Sequence, residues 1–135
     1  MRPRIEQELA LLREHYSDVE HREHGGEDWF RLPTYPFPAG WQVGSASITS
    51  ASIVLRIGAA YPSGEPYGFY APAGINFSGN APTNPGSGVN PPFDGSWQHF
   101  SWAPDGSWAP TADARRGSNL LTWVRSFGQR LREGA

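Results

Sequence analysis

Helical periodicity occurs at the two ends of this 135-residue chain, and that placement restricts the fold more than any other feature. Near the start, Ile5, Leu9, Leu12 and Tyr16 fall at i, i+4, i+7 and i+11, which predicts a helix over residues 4–16 with Pro3 at its first position. Near the end, Leu120, Val124, Phe127 and Leu131 form a second apolar stripe, with Ser118 or Asn119 as N-cap and Gly134 beyond the last turn. A chain of this length encloses one core, so residues 1–135 are read as a single domain.

Between the helices the pattern changes to a period of two. Residues 29–32 and Trp41–Val43 are short strand candidates, and residues 52–57 are the clearest: Ile53, Leu55 and Ile57 share one face while Val54 and Arg56 share the other. Residues 67–70 make a further candidate after the turn residues Tyr61, Pro62 and Pro66. Residues 17–28 are polar and read as a turn leading into the first strand. Within them His21, Glu23 and His24 are either a metal-binding cluster or three polar residues on a solvated turn, and the second reading is preferred. No motif requires a cofactor or a metal ion.

The 16 glycines and 13 prolines leave much of the chain to turns, and residues 71–95 are so rich in Pro, Gly and Asn that a long loop is expected there. Three tryptophans follow within twelve positions, Trp97, Trp102 and Trp108, together with His99, Phe100 and a turn at 104–106. They read either as core and loop anchors or as a binding platform. The predicted architecture is α+β: an N-terminal helix, an antiparallel meander of about four strands, a long loop and a C-terminal helix.

A net charge of −2 gives no electrostatic reason to expect nucleic acid or an anionic membrane as partner, and no apolar run is long enough to span a bilayer. The charged first twelve residues do not make a secretory leader, so a cytoplasmic location is expected. Cysteine is absent, which excludes thiol chemistry. Lysine is absent too: all 11 basic residues are arginine, from codon bias or because a protein handling an acyl donor avoids a competing amine.

This order of elements, with Tyr61-Pro62 and Pro66 ending the meander and Gly95-Ser96 leading to Trp108-Ala109-Pro110, resembles the ubiquitin-conjugating enzyme superfamily. The aromatic-serine segment 97–102 is similar to that of its bacterial branch, ubiquitin-conjugating-like family E. The resemblance implies a component of a ubiquitin-like protein conjugation pathway, with a ubiquitin-like protein, an activating enzyme and a deconjugating protease as partners. The position of the family's catalytic cysteine falls at Ser101 counted from Trp108, or near Gln98 counted from Gly95. The histidine-proline-asparagine motif has no counterpart, since none of Asn76, Asn80, Asn84 and Asn90 follows His-Pro.

A serine at that position could carry the modifier as an oxoester only with a base to activate it. His99 lies two residues from Ser101, on the same face if the strand continues, and Asp94 or Asp105 could orient it. The alternatives are a catalytically inactive module that binds a ubiquitin-like protein or an activating enzyme, and an aromatic-rich carbohydrate- or peptide-binding domain that uses Trp97, Trp102 and Trp108. A serine hydrolase fits less well, because no glycine-flanked elbow surrounds Ser101.

Overall fold

The computed structural model describes residues 2–82, 90–103 and 106–134. Helix α1 spans Pro3–His15 with Pro3 at its first position, and it ends where Tyr16 leaves helical geometry at φ −132°. Eight strands follow among the described residues: β1 Glu20–His24, β2 Glu27–Pro36, β3 Trp41–Val43, β4 Ala46–Ser47, β5 Ser50–Ile57, β6 Phe69–Pro72, β7 Ile75–Phe77 and β8 Trp97–Phe100. Helix α2, Leu120–Arg132, closes the described chain. Asn119 is its N-cap: the side chain accepts from Thr122 N–H, and the Thr122 hydroxyl in return accepts from Asn119 N–H.

The fold is α+β. The described strands form two antiparallel sheets, one of five in the order β1-β2-β5-β6-β8 and one of three in the order β4-β3-β7. Strand registers sort side chains by face. Phe30 opposite Leu55 and Leu32 opposite Ile53 point toward the helices, as do Phe69 and Phe100, whose rings stack with centroids 4.9 Å apart. Against this face pack Ile5, Leu9 and Leu12 of α1 and Leu120, Val124, Phe127 and Leu131 of α2, all buried. The opposite face carries a smaller cluster of Trp29, Val54, Tyr70 and Phe93, with Trp97 half-buried beside it.

Two expected loops contain strands. Residues 17–28 hold β1, whose sequence Glu-His-Arg-Glu-His lacks apolar alternation because it is an edge strand. Its charges discourage pairing with another chain, and Gly25-Gly26, at φ 62° and 78°, turn it into β2. His21 serves this hairpin: it packs on Phe30 and bonds Asp28 at 2.8 Å. Among the described residues no group of three or more His, Cys, Asp or Glu can hold a metal ion. Likewise the stretch 71–95 begins inside β6 and contains β7, where Ile75 is buried and Trp41 packs edge-on to Phe77. No described helix is long and apolar enough to cross a membrane.

One polar cluster ties these parts together. Glu8 of α1 is only 1% exposed, yet its carboxylate accepts from Arg4 Nε at 2.7 Å, from the Tyr61 hydroxyl at 2.6 Å and from Leu120 N–H at 2.5 Å. The last donor is the first residue of α2, where the helix dipole favours an anion. Tyr61 in turn packs against Trp108, whose indole donates to the Pro62 carbonyl at 2.7 Å.

Glu8→Ala is expected to lower unfolding free energy by about 3–5 kcal/mol in urea titration, because it removes the carboxylate from the half-buried Arg4 and leaves two buried donors, the Tyr61 hydroxyl and Leu120 N–H, without an acceptor. A loss below about 1 kcal/mol would contradict the role assigned to Glu8. Burial, and for Tyr61 also the charge of Glu8, hold the Tyr35 and Tyr61 phenols protonated well above the usual tyrosine range. In the unfolded chain both ionise near pH 10, so their stabilisation is complete below that pH and declines above it, by up to about 1.4 kcal/mol per pH unit each. Denaturation midpoints measured from pH 9 to 11.5 should fall, and fall less steeply in Tyr35→Phe.

Candidate functional site

The face of the five-stranded sheet turned away from the helices sets Arg56 and His99 beside its aromatic cluster. Trp29 and Arg56 sit opposite each other on β2 and β5, and Tyr70 and His99 do so on β6 and β8. The connection from β5 to β6 rises over the end of this face and turns it into a cleft of about 270 Å³. Tyr61, Pro66, Gly68 and Tyr70 supply buried walls, while Glu65 and Tyr67 stand exposed at the rim.

His99 is the sequence-predicted residue that the fold brings into this cleft. Its ring meets Tyr70 edge-on at 4.9 Å and lies 6.4 Å from Tyr67, centroid to centroid. It rests directly on Gly68, whose φ of 74° and missing side chain are both required: a Cβ there would overlap His99 Nε2 and the Phe100 carbonyl oxygen.

Ser101 goes elsewhere. β8 ends at Phe100, paired with Phe69, and the next backbone bond runs from Gly68 N–H to the Trp102 carbonyl, one residue out of that register. The chain therefore bulges at Ser101, which is half-buried, does not line the cleft and has no hydrogen bond from its hydroxyl among the described residues. Gln98 pairs with Ala71 on the helix-facing side of the sheet, and Asp94 is exposed before β8 with no bond to His99. Asp105 and Asn84 lie outside the described residues. Asn76 is committed to turns, donating to the Gly44 and Gly74 carbonyls and accepting from Gly79 N–H, while Asn90 is exposed.

The three tryptophans do separate structural work. Trp97 donates to the Phe93 carbonyl at 3.3 Å, Trp102 to the Ser126 hydroxyl at 3.1 Å, and Trp108 clamps Pro62. Trp97 packs on the sheet face opposite the one that Trp102 and Trp108 pack against. Sequence reading passed over Glu65, Tyr67 and Arg56, and the available signal was an aromatic flanked by Pro66 and Gly68 beside a carboxylate.

Chemically the cleft offers aromatic faces and two carboxylates. Glu27 is half-exposed and paired with Arg56 at 3.5 Å, an interaction worth little in water. Glu65 has no ion pair among the described residues. Such a rim favours a cation or a polar peptide edge over an anion.

Gly68→Ala is expected to drive His99 off its seat, which would shift the His99 and Tyr70 ring resonances in proton NMR while α1 resonances stay in place. Unchanged ring resonances would mean that His99 is not seated on Gly68.

Compared with protein-family models, with curated proteins and with solved structures, the chain matches none.

Proposed function

We propose that this domain is a ubiquitin-conjugating-like module that holds a ubiquitin-like protein or its activating enzyme without carrying the modifier covalently. The reading takes its family from the sequence resemblance. It is supported by the two helices that flank the described strands in sequence, by the antiparallel run β1-β2-β5-β6 within the five-stranded sheet, and by contact between two anchors of that resemblance, Tyr61-Pro62 and Trp108.

The observation that carries the non-covalent half of the reading is that the Ser101 hydroxyl makes no hydrogen bond to His99 or to any other described residue. Transfer to serine needs a base on the hydroxyl. Here the hydroxyl sits in a bulge with no hydrogen bond among the described residues, while the imidazole is wedged between Tyr67 and Tyr70. A second reading, an oxoester carrier on Ser101, draws on the half-buried rather than sealed state of that same serine.

One experiment separates them. The protein is incubated with a ubiquitin-like protein, its activating enzyme and ATP, then examined by intact mass spectrometry and by calorimetric binding. The proposal expects no adduct, wild-type affinity in Ser101→Ala within twofold, and at least tenfold weaker binding in Tyr67→Ala. An adduct that survives thiol reductant, yields to hydroxide and disappears in Ser101→Ala would establish the carrier instead, and absence of binding to both proteins would remove the family reading.

A further inference from the structure

Helix α2 contains one glycine, Gly128, in its interior, where glycine is less stable than alanine. Neither backbone nor packing asks for it. Its φ is not left-handed, and a Cβ would come no closer than 3.3 Å to the flexible tip of Arg132 and 3.9 Å to the Tyr35 hydroxyl. What the missing side chain does is keep the floor of a groove open. This second concavity, about 410 Å³, lies beyond the end of α1, between the end of β2 and the exposed side of α2, away from the His99 cleft.

The groove has two kinds of wall. On one side are Tyr16 and Tyr35, their rings stacked at 6.0 Å, with the chain turning past Pro36 and Pro38. On the other are Arg125 and Arg132, both exposed. Neither guanidinium has a carboxylate partner among the described residues, and Arg125 instead donates to His15 Nδ1 at 3.2 Å. Other arginines do pair, Arg31 with Glu20 and Arg56 with Glu27. Two unneutralised cations beside an aromatic and proline wall mark the groove for an acidic, apolar strand.

Spacing makes the occupant specific. Arg125 and Arg132 are seven residues apart on one helix, about 10.5 Å along its axis. A polyproline II segment repeats every three residues with about 9.3 Å of rise, so acidic residues at i and i+3 point the same way at nearly that separation. Aromatic-lined grooves are also what such segments dock in.

We propose that this groove binds an acidic, proline-rich segment of a partner protein in polyproline II form, with carboxylates three residues apart on Arg125 and Arg132 and proline rings against Tyr16. The inference is independent of the conjugation reading.

The test is a fluorescence-anisotropy titration of the full chain with the labelled peptide acetyl-Pro-Glu-Pro-Pro-Glu-Pro-amide. Binding should weaken at least tenfold when both peptide glutamates become glutamine, and at least fivefold in Arg125→Gln or Arg132→Gln. Gly128→Ala gives the most distinctive result: it should raise Tm by about 2–5 °C, since alanine favours the helix, yet weaken the peptide at least fivefold by filling the groove. The proposal is overturned if the peptide does not bind, if the glutamine peptide binds equally, if Gly128→Ala binds like wild type, or if a single-stranded oligonucleotide binds Arg125 and Arg132 more tightly than the peptide.

Discussion

The buried carboxylate of Glu8 is the interaction on which the rest of the structure depends. A carboxylate removed from water is tolerated only when charge and hydrogen bonds replace its hydration. Here the replacements come from three separate parts of the chain: Arg4 one turn earlier on α1, Tyr61 in the connection from β5 to β6 and the first amide of α2. Satisfying one side chain therefore fixes the relative position of both helices and of the connection between β5 and β6. The apolar contacts of Ile5, Leu12, Val124 and Phe127 supply the larger share of burial, but they are non-directional and would accept several helix orientations.

The order set by Glu8 passes to the cleft through Tyr61. That ring leans on Trp108, which bonds Pro62, so residues 61–68 are pinned at their start. At their end Gly68 bonds Trp102, which bonds Ser126 of α2. His99 is thus seated by a segment anchored twice to the helical layer on the opposite side of the sheet. The same Gly68–Trp102 bond that ends the strand pairing turns Ser101 out of line, so the seating of the histidine and the isolation of the serine have one cause.

Much of this was legible in the sequence where a periodic pattern met a single environment. The stripe from Ile5 to Leu12 and the alternation Ile53, Leu55, Ile57 mark faces turned into the core, and they lie where they were expected, while of the two cap candidates Ser118 and Asn119 it is Asn119 that caps α2. The pattern was silent at β1, an edge strand that buries little, and at β7, three residues hidden among turn residues. Pairing Ser101 with His99 by i, i+2 alternation presumed that the strand continues, and a bulge cannot be read from residue types alone. Glu8 looked like any helix-surface acid with an arginine four residues before it. Its burial is decided by what α2 and Tyr61 bring to it, which is tertiary information. Gly68 and Gly128 were visible as letters, but their opposite reasons, a close approach at one and an open groove at the other, needed the neighbours.

The central claim is that Glu8 holds the β5–β6 connection and the start of α2 to α1, and so shapes the cleft. Native-state amide hydrogen exchange of Glu8→Gln against wild type measures this directly. The account predicts that the Leu120 and Gly68 amides lose at least tenfold more protection than amides in the β2–β5 ladder, such as Leu55. Equal loss at all of these amides, or no loss at Gly68, would contradict it.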